Sequence, residues 1–504
     1  MTQWKALSGT TALLMVLSTA AHAQVTGAEV WNNWKSAAES IGEILTPGSE
    51  TQVGDTLTIR DLDITMDVPD VDVTGTIAMI EFRERDDGTV AITLSPSYEM
   101  QIAAAPETGE SFDLTLQVMQ EGVSIVASGG DGEISYDFLA PEITVSVAEL
   151  VVDDEPMEMN ADIVISDMNG SYTLTEGDMP RIASRLNAGE ISFDVAAKEP
   201  GGSGTFDMSG AFADVQTVSD GSFAMMANMD DMAAMLKAGF ATDAEFNYGA
   251  SSFDMDFQDS RDSFAMSSTS ESGGFSVAMD AEALSYEAGS TGLSFTMSGS
   301  EIPLPEIAAS FAELGIGFLM PIGKSDTPQD FGAYLTLDGL AVSDMIWSMI
   351  DVGGALPHDP ATLIVELAGK ANWFMDIMDP EAQAEMAESG TAPGEIHALD
   401  IKEIRLSIAG AELTGQGGFT FDNSDLETFD GIPAPTGGID LKLVGGNTLM
   451  DKLVVMGLLP QEEAMGARMM LGLFARPGEG DDTLESKIEI TGDGGISANG
   501  QRLQ

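Results

Sequence analysis

From about residue 53 to residue 297, apolar and polar residues alternate with a period of two. Met157, Met159, Ala161, Ile163 and Ile165 alternate with Glu158, Asn160, Asp162, Val164 and Ser166, and the same rhythm runs through 112–118, 253–257, 275–279 and 293–297. Successive side chains of a strand point to opposite sides, so this pattern predicts strands with one apolar and one wet face. Asp-Gly at 87–88, 131–132, 220–221, 338–339, 430–431 and 493–494, and Asn-Gly at 169–170 and 499–500, supply the positive φ angles of tight hairpin turns. Short strands spaced by roughly 8–12 residues, with such turns between them, predict an antiparallel meander. No strict repeat length emerges.

Helical spacing appears at the two ends of the chain. Residues 28–45 predict a helix, with Val30, Trp34 and Ile41 on one stripe and Thr46-Pro47-Gly48 after it. Beyond residue 300 the periods mix. Ile307, Phe311, Leu314 and Phe318 share a helical stripe over 306–320, stopped by Pro321. Further helices are expected at 343–350, with Ile346 and Trp347 buried, and over 373–389 with a break at Asp379-Pro380. A helical hairpin is expected from 448–459 and 461–475 around Pro460. Strands are expected between these helices, ending in a hairpin of 484–490 with 496–502. The expected fold class is mainly β (β-rich α+β), a long twisted antiparallel meander sheet with helices packed on one face, especially in the C-terminal part. The composition shift near 300 separates an N-terminal helix and meander (24–300) from a mixed strand and helix region (301–504).

Lys5, a largely apolar run over 6–19, and Ala21-His22-Ala23 form a signal-peptide pattern over 1–23, with cleavage after Ala23. The expected location is therefore the periplasm. No later stretch of about 18 apolar residues predicts a transmembrane segment in the mature chain.

Charge and cysteine content narrow the chemistry. Among 504 residues, 83 acids face 20 bases, a formal charge of −63. That balance excludes nucleic acid as a partner and implies a solvated acidic surface suited to a salty exterior. With no cysteine, disulfides, thiolate metal sites and cysteine nucleophiles are excluded. The mature chain keeps two histidines, His358 and His397, and lacks a G-x-S-x-G elbow. Residues 317–325 imitate a phosphate loop, but the glycine spacing is one residue too long. Acids are too numerous for one hydrolytic pair to stand out. No catalytic residue and no cofactor are assigned.

Two groups of residues remain as candidate sites. Asp61, Asp63, Asp67, Asp70 and Asp72 cluster closely enough to raise calcium, although a solvated strand face is the favoured explanation and no EF-hand loop is present. Met465, Met469, Met470, Leu473 and Phe474 make the second arm of the helical hairpin apolar around most of its circumference, as in a helix buried on two sides or facing lipid or a partner. Met469 is expected to be core and Phe474 to be a contact residue. The 31 methionines serve either as core filler or as a pliable apolar surface, since thioethers adapt to irregular neighbours.

The segment NTLMDKLVVMGLLPQEEAMGARMMLGLFARPGEGDDTLESKIEITGDGGISANGQRLQ resembles the C-terminal block of an exported family, domain of unknown function 2125. Glu29-Val30-Trp31-Asn32-Asn33-Trp34 and Gly54-Asp55-Thr56-Leu57-Thr58 are similar to that family's opening. The resemblance implies export and a β-rich architecture, and it carries no catalytic residues.

These features predict a non-enzymatic exported binding or scaffold protein. Its Met/Phe-lined groove would hold a lipid or another apolar ligand, or a segment of an envelope protein. The alternative is an acidic structural or calcium-stabilised envelope protein without a small ligand. A carboxylate-dependent hydrolase has least support, and the several expected helices count against an outer-membrane barrel.

Overall fold

The computed structural model describes residues 25–68, 71–105, 111–130, 132–153, 155–177, 179–199, 201–222, 232–389 and 392–503. The signal-peptide segment and Asp70 lie outside the described residues.

Helix α1 (Gly27–Ser40) begins with a capping box. Thr26 Oγ1 accepts from the Glu29 N–H, and the Glu29 carboxylate accepts from the Thr26 N–H. The helix stops before Leu45, which belongs to the first strand. The sheet opens with β1 (Glu43–Val53), β2 (Thr56–Val68), β3 (Val71–Glu84), β4 (Val90–Leu94), β5 (Ser97–Ala104), β6 (Phe112–Met119), β7 (Ser124–Gly130) and β8 (Glu133–Val152). It continues through β9 (Glu155–Pro156), β10 (Met159–Thr175), β11 (Arg181–Lys198) and β12 (Thr205–Ser222) to helix α2 (Met232–Lys237). Next come β13 (Thr242–Tyr248), β14 (Ser251–Gln258), β15 (Ser263–Ser270), β16 (Ser272–Met279) and β17 (Ala283–Gly299).

The remaining elements are β18 (Ile307–Pro321), β19 (Gln329–Val342), α3 (Asp344–Ile350), β20 (Ala361–Trp373), α4 (Pro380–Ser389), β21 (Gly394–Ile408), β22 (Ala411–Asp422) and β23 (Ala434–Val444). The hairpin α5 (Gly446–Val455) and α6 (Gln461–Phe474) precedes β24 (Arg476–Pro477), β25 (Thr483–Ile490), β26 (Ile496–Ala498) and β27 (Gln501–Arg502). All these strands join one antiparallel sheet, so the protein is mainly β. β17 and β18, on either side of residue 300, are paired neighbours.

Strands follow one another across the sheet almost in chain order. Twice, four short strands fill the width between two long ones. β4 and β7 lie along one half of β3 and β8, and β5 and β6 along the other. β13 with β16, and β14 with β15, fill the space between β12 and β17 in the same order. The duplication lies in strand pairing, and no repeat of fixed length accompanies it in the sequence.

A line of irregular pairing crosses the long strands near their midpoints. Asp61, Asp167 and Asp214 have φ of 50°, 53° and 52°, and the register skips each of them. Gly48 and Gly189 face the first two. A Cβ at Gly48 would stand 3.0 Å from the Asp61 Cβ, so a side chain there would crowd Asp61. Gly292 and Gly339, at φ of 59° and 67°, continue the line through β17 and β19. Each skipped residue faces a skipped partner, and the register resumes unchanged beyond it. On β11, Ile182, Leu186 and Ala188 share a face with Ile191, Phe193 and Val195, the phase changing at Gly189.

This line of irregular pairing accounts for several departures from the sequence reading. Residues 306–320 form strand β18, not a helix. Ile307, Ala309 and Phe311 share a face with Leu314, Ile316 and Phe318, and the phase jump between 311 and 314 imitates a helical stripe. Gly315 and Gly317 also weaken a helix there. The dipeptides at 169–170, 220–221 and 338–339 lie inside β10, β12 and β19, so they are not hairpin turns. Many strands run 13–20 residues rather than being short. Residues 373–379 are not helical, α3 buries neither Ile346 nor Trp347 fully, and β22 was not anticipated.

Candidate functional site

The register collects most apolar residues of successive strands on one side of the sheet. Across β10, β11 and β12, Ile163 stands opposite Phe193, and Phe193 opposite Gly210. Further along, Met208, Met255, Met266 and Met297 are successive cross-strand partners on β12, β14, β15 and β17. A parallel row joins Phe206, Phe257 and Phe264. The apolar series then passes from Phe318 through Ala333 and Leu367 to Ile401, and from Leu413 to Leu443 and Leu484. The opposite face carries the charge, as where Asp207 pairs with Asp256 and Ser209 with Asp254.

Cover over this apolar face is uneven. All the largest fully buried side chains belong to two clusters, one under α1 and one around α2. Under α1, Val30 and Trp31 pack with Leu57, Ile59, Phe82, Val90, Ile92 and Tyr136. The trough supplies polar partners for this helix. Trp31 Nε1 donates to Glu50, the Gly27 N–H to Glu84, and Asn33 Nδ2 to Glu176, while the Tyr136 hydroxyl donates to Asn33 Oδ1 at 2.7 Å. Burial raises the Tyr136 phenol, and it pushes Tyr172, stacked on it at 4.6 Å, up to about 12. Around α2, Met235, Leu236 and Phe240 pack on Met279, Leu284 and Ile322.

Elsewhere the apolar face meets solvent. Ile163 is 45% exposed, Phe275 46%, Ile316 53% and Leu406 42%, and all four point to the same side as the buried clusters. The partners of α1 run from Glu50 on β1 to Glu176 just past β10, so the sheet forms a trough around this helix, and α1 and α2 cover only part of the apolar face.

The remaining candidates are placed as follows. Asp61, Asp63 and Asp72 are exposed on β2 and β3, and Asp67 stands opposite Asp72 in the register. Asp63 accepts a hydrogen bond from Thr76 Oγ1. The Asp67 side chain lies outside the description, as does Asp70. Among the described residues no group of three or more His, Asp or Glu is arranged to hold a metal ion. On α6, Met465, Met469, Met470 and Leu473 are exposed, and Phe474 is half-buried. Met469, at 70% exposure, is therefore not core in this chain. The hairpin turns only Ala464 of α6 fully inward, since α5 rather than α6 lies against the sheet at β22.

The histidines sit apart. His358 stacks on Trp347 at 4.3 Å, with Nε2 3.5 Å from Asp351. N–H groups of Leu356 and Ala355 donate to the Asp351 carboxylate and hold it below the usual carboxylate range. His397 Nε2 lies 2.6 Å from Asn372 Oδ1. Neither histidine has a serine nucleophile among its hydrogen-bond partners described here.

An open antiparallel sheet, apolar on one face and acidic on the other, defines a large trough-forming β protein. Among the described residues no helix is long and apolar enough to cross a membrane, which leaves strand-built membrane structures unaddressed. The chain belongs to the family described as uncharacterized protein conserved in bacteria (DUF2125), whose sequence profile matches residues 234–498. The match includes the helical hairpin and most of the closing strands, while Glu29 to Trp34 precede it. A search of curated proteins found no match.

Proposed function

We propose that this chain is an exported, non-enzymatic protein that shelters an apolar ligand in the trough, with acyl chains as the ligand class. The supporting observation is the continuous apolar face, lined in part by the Met208–Met255–Met266–Met297 row and covered only in part by α1 and α2. Contiguous exposed apolar surface is costly in water unless something covers it. Methionine and phenylalanine suit a ligand of variable shape, because thioether side chains repack at little cost. Export to the periplasm rests on the pattern over 1–23 and would place the protein among envelope lipids.

Purification from the periplasmic and envelope fractions, followed by lipid extraction and native mass spectrometry, tests this function. The expected result is co-purifying acyl lipid on a chain whose N-terminus is Gln24 or lies within a few residues of it. Lipid-free protein throughout gentle purification contradicts the ligand. A second reading, a scaffold whose trough receives a segment of an envelope protein, gains support from the apolar exposure of Met465, Met469 and Leu473. A stable protein partner without lipid would favour it.

A further inference from the structure

Whatever occupies the apolar face of the sheet, the outer side of α6 has a chemistry of its own. The chain has 31 methionines and no cysteine, so thioethers are its only sulfur. Among the described residues six methionines are more than a third exposed. Three of them, Met465, Met469 and Met470, lie on α6 at 62%, 70% and 52% exposure. Between Glu463 and Arg476 the one charged residue is Arg468, which donates to Asp451 and to the Asn447 carbonyl on α5. A Cβ added at Gly466 or Gly472 would meet no atom within 4 Å, so no described element roofs this part of the helix. A small reagent can reach all three sulfurs.

We infer that α6 is a reversible methionine-oxidation site, at which a hypohalous acid turns an exposed apolar helix face polar while the fold stays intact. A sulfur lone pair attacks the oxygen of hypochlorous acid, the O–Cl bond breaks, and chloride and a proton leave as the sulfoxide forms. Met235 on α2 marks the contrast, at 7% exposure and packed with Leu236, Phe240 and Ile322. A sulfoxide there would bury an S=O group among apolar neighbours and break the cluster. On α6 the new S=O group meets water and displaces no packed side chain. The helix then loses apolar contact area with anything that docks on it. In the return step a methionine sulfoxide reductase removes the oxygen as water and oxidises a dithiol to a disulfide, one enzyme for each sulfoxide epimer. The exposure that admits the oxidant also admits the reductase.

The test treats the signal-cleaved full chain with small increments of hypochlorous acid and maps sulfoxide at each methionine by peptide mass spectrometry. Met465, Met469 and Met470 should each gain sulfoxide several-fold ahead of Met235. The circular dichroism spectrum should stay unchanged while the protein elutes earlier from a hydrophobic-interaction column. Methionine sulfoxide reductases A and B with dithiothreitol should restore the original elution. A chain carrying Met465→Leu, Met469→Leu and Met470→Leu keeps the apolar side without its sulfur and should lose most of the elution shift, its unchanged circular dichroism spectrum showing that it folds. Sulfoxide at Met235 as early as at Met469, or unfolding before α6 is modified, overturns the site. A full elution shift in the folded leucine variant overturns it too. Sulfoxide on α6 that both reductases leave in place overturns the reversibility.

Discussion

Truncating one apolar residue under α1 and another on the open trough should have very different consequences. Trp31 is 2% exposed, lies 6.1 Å from the Phe82 ring, and has its indole N–H bonded to Glu50. Trp31→Ala removes a large buried side chain and leaves a cavity against Ile59, Phe82 and Val90, an expected loss of about 3–5 kcal/mol. Glu50 is exposed and regains water, so the lost hydrogen bond adds little. Ile163 points to the same side of the sheet but is already 45% exposed. Full burial of such a side chain is worth about 1.5–3 kcal/mol, so Ile163→Ala should cost about 1 kcal/mol in lipid-free protein. Urea unfolding followed by circular dichroism measures both, with unchanged denaturant slopes confirming that the same transition is compared. A cost for Ile163→Ala equal to that of Trp31→Ala would refute the uncovered trough, because it would require a packed neighbour over Ile163.

Other consequences follow from single residues. Asn33→Ala leaves the buried Tyr136 hydroxyl without its acceptor and should cost about 1–3 kcal/mol in the same unfolding assay. The raised phenols of Tyr136 and Tyr172 favour the folded state fully below pH 10, and this contribution disappears as pH rises toward about 12. Tyrosinate absorbance should therefore rise with loss of structure in that window, and titration of all tyrosines near pH 10 without unfolding would contradict the buried pair. Asp167→Val places a β-branched residue at φ 53° and should destabilise by about 1–3 kcal/mol, while Asp167→Gly should be neutral or stabilising. Added sodium chloride should raise the melting temperature by screening the −63 charge. Calcium should exceed sodium at equal ionic strength only if Asp61, Asp63 and their neighbours form a site.

Much of the architecture is legible as period. Alternation from Met157 to Ile165 and from Phe253 to Phe257 marks strands whose apolar residues share one face, and the helices at 27–40 and 461–474 follow from their apolar spacing. The line of irregular pairing is hidden because its signal is a change of phase rather than of composition. Asp167 opposite Gly189 and Asp338-Gly339 within β19 use residue types that also build hairpin turns, and only strand pairing separates an irregularity inside a strand from a turn. In β18 the same phase change presents a strand as a helix. The candidate surface on Met465 to Leu473 is local and therefore visible in one segment. The Met208–Met255–Met266–Met297 row is not, since its members are neighbours only once four strands are in register.

Site-specific photocrosslinking in living cells tests the central claim, a trough occupied by hydrocarbon. A benzophenone amino acid at Phe275, 46% exposed on the apolar face, compares with the same group at Val218, 37% exposed on the acidic face. Mass spectrometry of the irradiated protein should find acyl-lipid adducts at position 275 and none at 218. Adducts at both positions alike, or none at 275, would contradict the account.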